Sequence, residues 1–587
     1  MAVPSTDFFA ALARIFNSDQ ARAVILCGNV YDLFFNGSQY VPLIPLLSEK
    51  AKTQGVIRVV YELNGPVRIL DDREKLKNAW IKWKTGQDVD TLLLKDLRKA
   101  GPSEADRRSA EFEQLLLDAI GNPTLALELL RQLTICSRTG GLEHDLLILI
   151  EAADMLLPAG DGDISSLNDK QLHRISIVQD WFGDPAFLAG RDSVCLIAES
   201  RSLIHPRVSR LPQVLPLEIA APDTAARLHY IQFFSSTTAR PPKLWGTAEE
   251  LAAYTAGLSI HAIRQLLVAA AYADQTLTPG DLVAKVEEFI QGQLGEDVIE
   301  FKKPSHTLAD VVGFSKLKRF LREELMPRFR ASADKALTGA AVAGAIGGGK
   351  TFIFEAMAAE LGLPVLVLKN IRSQWYGQTD VIFERLRRLL ESLDKVVIFV
   401  DEADTQFGGV GREEHSTERR LTGKIQAMMS DPRLRGRVVW LLMTARIHLL
   451  SPDIRRPGRV GDLIIPVLDP EGDDRREFLR WVAKAAIKDP TDEQIARLDE
   501  LTEGYSAAAF ASLRQHLKAV EPQTFDDVAA VVQDQIPPAI GLTRRYQTLQ
   551  ALVNCTRRSL LPDPTITEQD REAWQLELRQ LEARGIA

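Results

Sequence analysis

The sequence predicts an α/β protein built from two tandem modules, each a parallel sheet flanked by helices. Three observations carry this reading. A Gly-rich stretch at 344–351, "GAIGGGKT", sits between the apolar run at 340–343 and the helix-like "FIFEAMAAEL", giving the order strand, loop, helix. About fifty residues later, "VVIFVDEAD" (396–404) reads as a buried strand of β-branched residues ending in two carboxylates. Finally, "LLILIEAAD" (146–154) looks like a damaged copy of that second stretch 250 residues upstream, and other segments repeat at nearly the same offset. A fixed offset of this kind signals a duplicated module.

The first element fits G-x-x-x-x-G-K-[ST], with Gly344, Gly349, Lys350 and Thr351 at the fixed positions. Glycines, including Gly347 and Gly348, let backbone N–H groups converge on phosphate oxygens. Lys350 supplies a mobile positive charge to the β- and γ-phosphates of ATP, Thr351 offers a hydroxyl to Mg2+, and Phe352 follows at the nucleotide site. In an open parallel sheet ligands collect at the carboxyl ends of strands, which is where Asp401 and Glu402 fall. Asp401 is expected to hold Mg2+, and Glu402 to act as general base toward water.

The segment 438–470, "VVWLLMTARIHLLSPDIRRPGRVGDLIIPVLDP", resembles the second region of homology in the AAA clade of the AAA+ ATPases. That resemblance implies that Arg456 and Arg459 are arginine fingers reaching the ATP site of a neighbouring subunit, so that the active form is a ring, of six subunits in the family. A planar, permanently charged donor suits the charge that spreads over a transferring γ-phosphate. One departure stands out: the family's sensor-1 Asn falls on Ala445, which cannot hydrogen-bond phosphate or water. "LADVVGFSKLKRFL" (308–321) resembles the entry to such a module and assigns Val312 and Gly313 to the adenine. "TEGYSAAAF" (502–510) resembles the lid, with Ala507 and Ala509 replacing the family's Gly and Asp. After the strand "LPVLVL", the family's first pore loop aligns with Trp375, Tyr376 and Gly377, whose aromatics would wedge against an extended polypeptide. The Gly-rich loop carrying Arg412 and Glu413 is the candidate second pore loop.

In the first module Glu151 stands at the Asp401 position, Ala152 at that of Glu402, Arg210 opposite Arg456 and Gln213 opposite Arg459. Its candidate opening strand (23–35) lacks Gly-Lys-Ser/Thr, so phosphate binding and water activation are both lost. The resemblance therefore implies tandem P-loop AAA+ modules with helical lids: a degenerate core over 1–235 with a helical insertion at about 72–139, a first lid and linker at 236–297, an active core at 298–470, its lid at 471–535, and a helical extension at 536–587.

Composition narrows the function. The net charge of −8 is spread along 587 residues without a basic tail, which disfavours nucleic acid as partner. No apolar run reaches the length of a membrane span and no signal peptide is evident, so a cytoplasmic location is expected. Cys27, Cys136, Cys195 and Cys555 are far apart, against zinc or disulfides, and no H-E-x-x-H is present. The expectation is an ATP-hydrolysing, chaperone-like ring that unfolds or disassembles a protein client; a nucleotide-gated scaffold with slow hydrolysis is the alternative, and a nucleic-acid motor ranks third.

Overall fold

The structure is a computed structural model, and it describes residues 7–96, 102–160, 166–294, 299–302, 306–331, 335–363, 365–369, 379–393, 395–407, 416–456, 458–535 and 539–586. The chain divides into two compact units, Met1–Ile290 with Trp375–Ser392, and Gln291–Gln374 with Leu393–Ala587.

The sheet of the first unit comprises β1 (Ala23–Gly28), β2 (Val56–Tyr61), β3 (Val67–Ile69), β4 (Asp145–Ile150), β5 (Ser193–Ile197) and β6 (Val214–Ile219). Their order is β3-β2-β4-β5-β1-β6, with every pair parallel except the edge pair β2–β3. All six residues of β1 and all five of β5 are buried, as continuous apolar runs must be when helices cover both faces. The expected strand at 23–35 stops at Gly28; Leu33–Phe35 instead forms a small hairpin with Tyr40–Pro42. Gly28 has φ +99°, a left-handed turn that ends the strand.

Between β2 and β4 lie α1 (Arg73–Thr85), α2 (Val89–Asp96), α3 (Glu104–Asp118) and α4 (Pro123–Thr139). Their charged residues face outward while Trp80, Phe112, Leu130 and Leu133 fill a core shared with the sheet. A Ser103–Asp106 capping box starts α3, and Asn122 with Pro123 starts α4. Asp192, just before β5, is buried and accepts hydrogen bonds from the Leu146 N–H at 2.8 Å and the Ser137 hydroxyl at 3.1 Å. Burial pushes its carboxyl up to about 7 despite those bonds.

The second unit repeats the plan with β7 (Ile299–Lys302), β8 (Gly339–Ala343), β9 (Val365–Leu368), β10 (Val396–Val400), β11 (Val438–Thr444) and β12 (Ile464–Pro466), in the order β7-β9-β10-β11-β8-β12. Here β7 is the antiparallel edge strand, paired to β9. The expectation of two parallel-sheet modules therefore holds, each with one antiparallel edge that the sequence did not announce. Helix α5 (Lys350–Leu361) leaves the Gly-rich loop and buries Phe354, Met357 and Leu361 in the core, ending at Gly362 with φ +68°. Trp440 on β11 is 1% exposed, and its truncation to Ala is expected to cost about 3–5 kcal/mol.

Four helices follow β12: α6 (Gly472–Ala483), α7 (Asp492–Leu501), α8 (Ala507–Val520) and α9 (Phe525–Gln533). Phe478, Leu498, Phe510 and Val528 join the core of this unit, and Thr491 and Thr524 cap α7 and α9 through capping boxes. A helical pair, α10 (Gly541–Val553) and α11 (Glu568–Ala583), closes the chain and packs through Tyr546, Leu549, Leu578 and Leu581. No described helix is long and apolar enough to cross a membrane. The four cysteines are free thiols.

Candidate active site

Strand β8 sits between β11 and β12, so the loop that leaves it opens at the carboxyl edge of the sheet beside the ends of both neighbours. Gly344 starts this loop, and a Cβ there would lie 2.2 Å from the Val467 carbonyl oxygen, so no side chain fits. Gly347 and Gly349 have φ of +75° and +85°, the left-handed region that a tight anion-binding turn uses. Gly347 is hemmed in by Ala508 and Ser506 at the start of α8. Its carbonyl accepts from the Ala508 N–H at 3.0 Å.

The Lys350 ammonium curls back onto the loop and donates to the Gly344 and Ala345 carbonyls at 3.0 and 3.1 Å. Burial pulls its pKa below the ordinary lysine value, while the carboxylate of Asp401 works in the opposite direction. The Thr351 hydroxyl donates to the Asp401 carboxylate at 3.1 Å. A hydroxyl and one carboxylate, with phosphate oxygens and water completing the shell, fit Mg2+ better than an all-protein cage; the described residues hold no group of three or more His, Cys, Asp or Glu suited to a metal ion.

Glu402 is exposed and adopts φ +47°, a conformation that costs a non-glycine residue roughly 1 kcal/mol or more. Its N–H donates to Asp401 Oδ1 at 2.9 Å and its carbonyl accepts from Thr405, which ties the strained turn to the helix that follows. Behind the pair lies a network that sequence reasoning missed. Buried Asp404 accepts from the Thr444 hydroxyl at 2.6 Å and from Arg446 Nε at 2.6 Å, and the Arg446 N–H donates to Thr444 Oγ1 at 2.8 Å. Thr444 is thus already engaged beside Ala445, and Arg446 is held on the same Asp404 carboxylate. The signal was present in the sequence: Asp404 closes the acidic strand motif.

The two arginines of the β11–β12 connection differ. Arg456 is exposed, with Asp453 no nearer than 3.9 Å. Arg459 is buried; it donates to the Asp453 carbonyl at 2.8 Å and the Ser430 hydroxyl at 3.1 Å, holding its own loop.

At the other wall, the Gly313 N–H donates to Glu477 at 3.1 Å and a Cβ on Gly313 would press 2.9 Å from the Phe478 ring, so the Val312–Gly313 backbone lies against α6. Phe352 is half exposed, and the His306 ring stacks on it with centroids 3.9 Å apart. His306 carried no motif that could have flagged it. Trp375, Tyr376, Gly377, Arg412 and Glu413 lie outside the described residues.

In the first unit the equivalent edge carries no such loop. Burial pushes Glu151 up, and Tyr31 is raised to about 12 by burial and the nearby Asp154, Glu151 and Glu199 carboxylates.

Comparison with known proteins matches three families along the chain. Residues 3–220 match the family "AAA+ chaperone, N-terminal Rossmann-like domain", residues 225–295 match "AAA+ chaperone, second helical domain", and residues 340–466 match "ATPase family associated with various cellular activities (AAA)". The chain is 28% identical over 255 residues to the cell division cycle protein 48 homolog of Archaeoglobus fulgidus, covering 39% of this chain and 34% of that one. It is 26% identical over 246 residues to Protein SAV of Sulfolobus acidocaldarius, covering 41% and 30%. To cell division control protein 48 homolog C of Arabidopsis thaliana it is 27% identical over 247 residues, covering 40% and 28%. In each case the match spans about a third of the relative's length or less.

Proposed function

Given that the chain belongs to the AAA+ ATPases, we propose that it hydrolyses ATP at its second module and uses the energy, as a six-membered ring, to remodel or unfold a protein client. The observation that carries this reading is the meeting of the Thr351 hydroxyl and the Asp401 carboxylate at 3.1 Å, beside Lys350 and with Glu402 next in the chain.

Lys350 gives up its contacts to the loop carbonyls and pairs with the β- and γ-phosphates of ATP, while loop N–H groups take the remaining oxygens. Thr351 and Asp401 hold Mg2+, which when bound neutralises charge on the phosphates. Glu402 orients the attacking water and accepts its proton. Arg456, exposed and unencumbered, reaches the γ-phosphate of the neighbouring protomer, and Arg459 fixes the loop from which it reaches. Val312 and Gly313 border the adenine. Trp375 and Tyr376, on a loop hinged at Gly377, grip the client. The first module, without a phosphate loop, contributes contacts within the ring or a docking surface, and the location is the cytoplasm.

The test is the Glu402→Gln variant, which should hold ATP without hydrolysing it. A protein retained from the native host in ATP but released in ADP, and lost when Trp375 is also changed to Ala, supports threading; no nucleotide-dependent retention overturns the remodelling reading. The scaffold reading keeps one specific support, Ala445 beside an already engaged Thr444. It predicts ATP-dependent assembly with turnover too slow to drive threading, and retention indifferent to Trp375.

A further inference from the structure

Helix α10 is joined to the phosphate loop by two side chains that no motif assigns. Nη1 of Arg544 donates to the carbonyl of Ile346, at the crown of the loop, and Nη2 lies 2.6 Å from both carboxylate oxygens of Asp469, just beyond β12. One turn further along α10, the buried Gln547 accepts the Ile346 N–H on Oε1 at 2.9 Å. We propose that Arg544 and Gln547 are positioning residues for ATP, holding the crown of the phosphate loop in its phosphate-accepting shape.

The argument is one of peptide geometry. A trans peptide is planar, so its C=O and N–H point in opposite directions. Gln547 takes the N–H of the 345–346 peptide toward α10, which turns the Ala345 carbonyl to the opposite side, and there it receives the Lys350 ammonium at 3.1 Å. Arg544 takes the carbonyl of the 346–347 peptide, which turns the Gly347 N–H away from α10. Two successive peptides are thus fixed in opposite senses by one helix, and the resting seat from which Lys350 moves to the phosphates is set by a residue outside the motif. The anchoring is firm. The Arg544 side chain is 13% exposed, Asp469 fixes its second nitrogen, and Tyr546 between the two residues is buried against α11. Charged hydrogen bonds of this kind are worth more than neutral ones, and they act in a partly desolvated site.

Helix α10 touches one other segment at this edge: the Tyr546 ring meets His448, which follows β11, edge-on at 5.3 Å. Because linkage is reciprocal, occupancy of the loop by ATP must in turn tighten the seating of α10.

This inference rests on ATP binding at the phosphate loop. Affinity for a fluorescent ATP analogue, measured on the full chain, separates the two ideas. If the parent binds and Arg544→Ala binds about tenfold more weakly, with the loss carried chiefly by the KM for ATP, both hold. Arg544→Lys should recover part of the loss. Arg545→Ala is the control, since Arg545 pairs with Glu577 on α11 and does not touch the loop; it should leave affinity within about twofold of the parent. An Arg544→Ala affinity equal to the parent's, or an Arg545→Ala loss as large as that of Arg544→Ala, overturns the positioning role while leaving ATP binding intact. On the unmodified chain, saturating ATP should slow amide exchange across 541–553, and unchanged exchange there also overturns it.

Discussion

The two sheets share one order for their five parallel strands; they differ in where the antiparallel edge strand comes from, in the four helices inserted between β2 and β4, and in the side chains at the carboxyl edge. In both, the strand that would feed the phosphate loop is flanked by the equivalent two neighbours, and a glycine that could not bear a Cβ stands at its end or just beyond: Gly28, the last residue of β1, would press 2.4 Å from the Ile219 carbonyl, and Gly344, the residue after β8, 2.2 Å from that of Val467. The residue after the acidic strand is left-handed in both, at φ +51° for Ala152 and φ +47° for Glu402. The carboxylate two residues on is also kept: Asp154 accepts from the Glu199 N–H where Asp404 accepts from Thr444. What the first module has lost is the Gly-Lys-Thr and the base, so backbone features that look catalytic in the second module belong to the fold.

That contrast makes the largest predicted effects asymmetric. Arg456→Ala and Glu402→Gln should each lower ATP turnover by about a thousandfold. The mirrored changes Arg210→Ala and Ala152→Glu, in the first module, should leave turnover within about twofold, because a carboxylate without a phosphate loop has nothing to act on. A steady-state phosphate-release assay checks all four. Next in size, Gly28→Ala and Gly344→Ala should each destabilise their own sheet by about 1–3 kcal/mol, since the clash is with backbone and cannot be relieved by a rotamer change. Denaturant unfolding in the absence of nucleotide reads this, and an effect confined to Gly344→Ala would show that the glycine serves the ligand.

The smallest effect is one of pH. Asp192 in the first module has a folded-state carboxyl raised to about 7, so its contribution to stability is fully present below the unfolded-state value of about 4, is lost as pH rises from there to about 7, and changes no further above it. The first module should therefore lose stability between pH values of about 4 and about 7 relative to Asp192→Asn, whose side chain cannot ionise. Thermal unfolding at the two pH values measures the difference, and parallel pH dependence in parent and variant would contradict it.

Much of this was legible in the sequence because it lies in periodicity and short motifs. Continuous β-branched runs such as 396–400 specify strands buried on both faces, and a repeat near 250 residues exposes the second module through heavy divergence. Motif spacing alone assigns Lys350, Thr351, Asp401 and Glu402 to one sheet edge. Long-range pairings were not legible, because nothing local encodes them. Arg456 and Arg459 look alike in the chain, yet one is exposed and the other buried against Asp453 and Ser430. Arg544 belongs to no motif, and its contact with Ile346 spans 198 residues. The hairpin at 33–42 escaped because its apolar residues continue the run of β1 with only a short polar interruption.

The central claim, that one module of the two binds and uses nucleotide, is tested most directly by counting. Equilibrium dialysis of the Glu402→Gln chain against ATP should give one bound nucleotide per chain, falling to none when Lys350 is also changed to Ala. Two nucleotides per chain, or one that survives the Lys350 change, would place a working site in the first module and contradict the account.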